Sequence, residues 1–243
     1  MEVVVLITVN PILRTFALGI GSDEILGTSF TIDLEGRQYL VTARHVIDGL
    51  PFDGQGRAEV RLKYADGWRR EQVRLVGKGG SDLDVAVLAP SRLLTASKYT
   101  LLPTSEGVAM GQDCYFLGFP FGISFNLPNM GPLPHPFIKK ATLSMIEQGR
   151  TSEPRRVFLD GINNPGFSGG PIVFNPHNNR GNPEYRVLGL ISGYRAAPAQ
   201  VHGVHGPSPS DYIRENTGII IGFLVTHVKD FIAANPIGFP LGG

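Results

Sequence analysis

Cysteine is nearly missing: Cys114 stands alone in 243 residues, so no intrachain disulfide can form. The fold must then rest on its core, and a reducing, cytoplasmic home is expected. Charge is sparse as well, with 18% charged residues and a formal net charge of +1. With no basic block, neither nucleic acid nor an anionic membrane is expected as a partner. No apolar run approaches the roughly 18 residues that a membrane span requires. The opening nine residues are apolar, but they lack a positive n-region and break at Asn10-Pro11, so they read as a strand rather than a signal peptide. Gly118-Phe119-Pro120-Phe121-Gly122 lacks the lysine and following Ser/Thr of a phosphate loop. His202 and His205, in a Gly/Pro-rich stretch, have no third ligand or helix to align them. No cofactor and no metal are expected.

What the chain has in abundance is turn formers, with Gly 31 and Pro 19. They separate short apolar or alternating runs at 28–33, 39–42, 59–64, 72–77, 84–88, 113–117, 137–146, 156–159, 171–174, 185–192 and 218–224. That rhythm predicts an all-β protein with strands enough for two barrels and a crossover near 89–111. The apolar spacing of 225–232, followed by Asn235-Pro236, predicts a C-terminal helix at about 225–235. Three stretches, 118–136, 175–184 and 196–217, read as long loops.

Gly166-Phe167-Ser168-Gly169-Gly170-Pro171 sets one serine among glycines just before the apolar run Ile172-Val173-Phe174. Such a turn can take φ > 0 and aim several N–H groups into one pocket. A serine there can be a nucleophile, provided that a base takes its proton and an acid orients that base. His45 follows the apolar strand Tyr39-Leu40-Val41-Thr42, and an imidazole can accept and return a proton near neutral pH. Two acids compete for the third role. Asp84 abuts Val85-Ala86-Val87-Leu88 and can be sheltered, whereas Asp82 sits nearer the Gly79-Gly80-Ser81 turn, so Asp84 is favoured.

Taken in the order His45, Asp84, Ser168, these segments resemble the chymotrypsin-like (trypsin-like) serine proteases. Within them the chain looks most like the disulfide-free bacterial HtrA/Deg-type protease domain, here without a PDZ module. The likeness runs from about residue 27 to about residue 232. It implies two packed six-stranded antiparallel β-barrels in a single protease domain over 1–243, the first at about 12–95 and the second at about 107–224. It further implies a serine endopeptidase working through an acyl-enzyme on a protein or peptide substrate, with the Gly166 and Ser168 amides as the oxyanion hole. By the same resemblance, the specificity pocket is built from Ile162 and from Ser192, Gly193 and Tyr194, whose backbone pairs with an extended substrate. An apolar Ile162 cannot neutralise lysine or arginine, so an apolar P1 residue is expected. Digestive members order this turn by pairing a new N-terminus with an aspartate just before the nucleophile. Here that position is Phe167, so packing, a neighbouring loop or a regulatory protein partner must do the ordering. Two other readings stay open: a binding module with little turnover, and a protease that makes one processing cut.

Overall fold

Paired edges and alternating burial turn these short apolar runs into strands. The computed structural model describes residues 7–21, 26–126, 133–147, 153–177, 184–203 and 206–242. At the end of the expected opening strand, residues 7 and 8 are not strand and Val9 begins a short helix, α1 (Val9–Leu13). Pro11 falls in its first turn, where a missing N–H costs nothing. Residues 1–6 of that expected strand lie outside the described residues.

The first barrel contains β1 (Thr15–Gly19), β2 (Gly27–Leu34), β3 (Arg37–Thr42), β4 (Arg57–Tyr64), β5 (Gly67–Lys78) and β6 (Ala86–Pro90). These pair in the order β3-β2-β1-β4-β5-β6, and β6 returns to β3 with Leu40 opposite Leu88 and Thr42 opposite Ala86. That last pairing closes the barrel. The second barrel contains β7 (Asp113–Gly118), β8 (Phe137–Glu147), β9 (Arg156–Asp160), β10 (Pro171–Phe174), β11 (Arg186–Gly203) and β12 (Gly206–Leu224), closed in the order β10-β11-β12-β9-β8-β7. The chain is thus all-β, with two six-stranded antiparallel barrels.

One expected loop is corrected. Residues 196–217 are not a loop but the far part of a long hairpin, in which β11 and β12 stay paired out to Gly203 opposite Gly206. Its prolines lie in a two-stranded arm, where a missing ladder N–H is tolerated at an edge. Helix α2 (Thr226–Ala234) follows β12. A final short strand, β13 (Phe239–Pro240), then pairs with Gln38 and Arg37 of β3, outside the barrel closure.

One apolar cluster fills the first barrel and continues across the seam to Leu117, Val173, Val187 and Leu190 of the second. A separate cluster of Cys114, Phe116, Leu143, Phe167, Ile172 and Phe174 fills the second barrel. Burial of this extent is the main force holding the two barrels together. No helix among the described residues is long and apolar enough to cross a membrane.

Candidate active site

The registers of the two barrels decide which polar groups meet. Thr42 pairs with Ala86, so the residues just past β3 and just before β6 emerge side by side at one barrel end. His45 lies in the 3-10 turn Arg44–Ile47 that follows β3, and Asp84 comes two residues before β6. The His45 ring Nδ1 lies 2.7 Å from Asp84 Oδ2, and the His45 backbone N–H donates to Asp84 Oδ1 at 2.9 Å. Two contacts from one residue fix both the carboxylate and the turn that carries the imidazole. Asp82 is exposed and makes no such contact.

Burial pushes the Asp84 carboxyl up, but hydrogen bonds from the His45 ring, the Ser192 hydroxyl and the His45 backbone outweigh it and hold the carboxyl below its usual value. The Asp84 side chain is 14% exposed and the His45 side chain 45%. The acid is sheltered while the imidazole stays open to a reactant.

In the second barrel, Pro171 pairs with Leu190, which brings the serine turn before β10 against Ser192 on β11. The Ser168 hydroxyl donates to the Ser192 carbonyl at 3.2 Å. The Ser192 hydroxyl in turn donates to Asp84 Oδ2 at 2.6 Å. Ser192 therefore links the serine turn to the His45–Asp84 pair across the seam. Its hydroxyl was not assigned that contact from sequence, because the partners are far apart along the chain. In this arrangement His45 and Ser168 share no direct hydrogen bond.

The turn itself is held by backbone geometry that only glycine tolerates at two places. Gly166 has φ 101°, and a Cβ there would sit 2.3 Å from the Phe119 carbonyl oxygen; Gly169 has φ 83°, and a Cβ there would sit 2.1 Å from the Thr28 oxygen. The Pro165 carbonyl accepts from the Phe121 N–H at 2.9 Å. In a trans peptide the next N–H, that of Gly166, faces the opposite way. The Gly166 carbonyl accepts from Thr28 Oγ1 at 2.7 Å, and the Ser168 carbonyl accepts from the Thr28 N–H at 2.8 Å. Among the described residues, the N–H groups of Gly166 and Ser168 have no hydrogen-bond partner. They are thus free to serve an oxygen of a ligand. Thr28 was not singled out from sequence; nothing in a Gly-Thr-Ser strand start signals a reach to residues 166 and 168.

Phe167 is fully buried, and its ring meets that of Phe116 edge-on with centroids 4.9 Å apart. Of the expected pocket residues, Ser192, Gly193 and Tyr194 share β11, and Ile162 and Tyr194 are 51% and 37% exposed. The Ile162 side chain reaches over Gly218, 4.0 Å from where a Cβ would stand. Asp160 and Arg195 line a different feature, an apolar groove of about 600 Å³ with Met145, Phe158, Ile219 and Ile221. No group of three metal-ligating side chains occurs among the described residues.

Residues 27–180 match the family model of the trypsin-like peptidase domain. Among solved structures, the chain is similar to Rv3671c of M. tuberculosis H37Rv, an inactive Ser343Ala form, at 16% identity and TM-score 0.54, covering 96% of this chain and 91% of that one. It is similar to a serine endoprotease from Yersinia pestis at 17% identity and TM-score 0.53, covering 95% of this chain and 67% of that one. It is also similar to human heparin binding protein at 15% identity and TM-score 0.57, covering 97% and 96%. No match was found among curated proteins.

Proposed function

We propose, from the premise that the chain belongs to the trypsin-like peptidase domain family and is a serine-type endopeptidase, that Ser168 is its nucleophile, His45 its general base and acid, and Asp84 the group that orients the imidazole. Ser168 Oγ attacks the peptide carbonyl and His45 takes its proton. The tetrahedral oxyanion sits between the Gly166 and Ser168 amides. His45 then protonates the leaving amine, and water hydrolyses the ester by the same route in reverse. Losing one such amide donor typically costs about 2.7 to 4 kcal/mol of transition-state stabilisation. To react, the Ser168 hydroxyl must leave the Ser192 carbonyl for the imidazole. Catalytic hydrogen bonds often tighten only when substrate is bound.

The observation that carries this reading is the shared Asp84 Oδ2, 2.7 Å from His45 Nδ1 and 2.6 Å from the Ser192 hydroxyl. An exposed Ile162 beside Gly218 supports an apolar P1 residue. A cytoplasmic site of action, expected from the lone cysteine, belongs to the same proposal. A peptide-library cleavage profile tests it. Cuts should follow apolar residues and vanish in Ser168→Ala; cuts after lysine or arginine would overturn the pocket assignment.

The second reading, a peptide-binding module gated by a protein partner, is favoured by the one resting bond that draws Ser168 away from His45. A fold alone does not decide between turnover and binding. Cleavage that appears only when cell extract is added would favour gating.

A further inference from the structure

We infer that Lys139 is a positioning residue for the serine turn: its ammonium, on β8 of the second barrel, ties down the segment before Ser168, in place of the ion pair that digestive members of the family use. The inference rests on the reading of Gly166 and Ser168 as the reacting turn.

Lys139 lies on β8 opposite Phe116 of β7. Cross-strand partners share a face, so the lysine stem shares the inward face of buried Phe116, as do Ala141 and Leu143 at two-residue spacing. A lysine on the inner face of a barrel needs a reason. Burial holds its pKa below the ordinary lysine value, and among the described residues no carboxylate forms a salt bridge with it. A partly desolvated ammonium is costly unless acceptors replace its water.

Its acceptors all belong to one segment and its neighbours. Nζ donates to the Ile162 carbonyl and to Asn164 Oδ1, the latter at 3.1 Å. It also stands 5.9 Å from the centre of the Phe167 ring and 6.0 Å from that of Phe116, within the range of a cation–π attraction. Asn164 passes the restraint on, since its carbonyl accepts from the Phe167 N–H at 3.3 Å. One cation thus touches residues 162, 164 and 167, all before the nucleophile. Phe167 cannot accept an ion pair. It can offer a ring face, and the ammonium uses it.

Lys139→Met keeps the volume and the apolar stem but removes the donors and the charge. Hydrogen-exchange mass spectrometry on the full chain reads the consequence without needing turnover. In Lys139→Met, exchange across residues 161–170 should quicken about tenfold or more, the scale of a charge-assisted hydrogen bond. Strands β7, β8 and β10 should keep wild-type protection, Lys139→Arg should restore most of the slowing, and Lys140→Met, on the outward face, should change nothing in this segment. The rate at which a peptidyl phosphonate labels Ser168 should fall in step. Wild-type exchange across 161–170 in Lys139→Met would overturn the inference. So would an equal loss of protection throughout the barrel, which marks a residue that merely fills the core. If wild type is not labelled at all while exchange still responds to Lys139, the hydrolase reading fails and the lysine's positioning role stands.

Discussion

Ser192 and Asp84 meet across the seam between the barrels, the serine hydroxyl donating to Asp84 Oδ2 at 2.6 Å on the oxygen that also faces His45 Nδ1. Removing that donor in Ser192→Ala should slow the reaction roughly tenfold or more, the scale of a hydrogen bond to a charged group. It should also raise the Asp84 pKa. A carboxyl held below its unfolded value stabilises the fold above that value and ceases to do so as pH falls through the folded one. The Tm gap between wild type and Ser192→Ala should therefore be widest above about pH 4 and narrow as pH falls below it. A gap that stays constant with pH would show that the hydroxyl does nothing for the carboxylate.

Phe167 should be worth more to the turn than its size suggests. Phe167→Ala leaves a hole beside Phe116 and should cost about 3 to 5 kcal/mol of stability by denaturant unfolding. Phosphonate labelling at Ser168 should weaken at temperatures well below Tm, because the ring underlies the reacting turn. Labelling at the wild-type rate until global unfolding would separate the ring from the turn.

His227 supplies a pH dependence outside the site. Burial lowers its pKa and nearby Arg155 adds to this, while Asp230 acts the other way. The ring Nε2 accepts from that N–H at 2.8 Å, which only neutral imidazole can do. With the folded value below the unfolded one, the unfolded chain binds more protons, so stability falls as pH drops from about 6.5. Between about pH 7.5 and 5, wild type should lose more Tm than His227→Gln; parallel curves would refute the assignment.

Cys114 should be inert. Its thiol is buried in the second barrel and pushed up to about 12, first by burial and then by neighbouring Asp113. Iodoacetamide at neutral pH should modify it only after denaturation. Rapid alkylation of the native protein would mean that β7 opens readily.

The three segments proposed to react were legible because each carries its own local mark: a strand end before His45, an apolar run after Asp84, glycines around Ser168. The rest depends on pairing between distant segments. The far hairpin of β11 and β12 looked like a loop since Pro198, Pro207 and Pro209 punctuate it, yet the two arms satisfy each other. β1 carries no polar alternation that would mark it in the sequence, although every residue of it is buried. Lys139 resembles any surface lysine in sequence. Its role arises only when β8 turns it inward beneath residues 162 to 167. Ile162, Ser192, Gly193 and Tyr194 were reached through family resemblance, and their local sequence carries no comparable mark.

The central claim is that Ser168 is an activated nucleophile. Intact-mass measurement after exposure to a fluorophosphonate tests it directly. Wild type should gain one adduct, mapped to Ser168, and Ser168→Ala should gain none, with a loss on the order of 10⁶ in kcat on any cleaved peptide and an unchanged fold. An adduct that persists in Ser168→Ala would contradict the account.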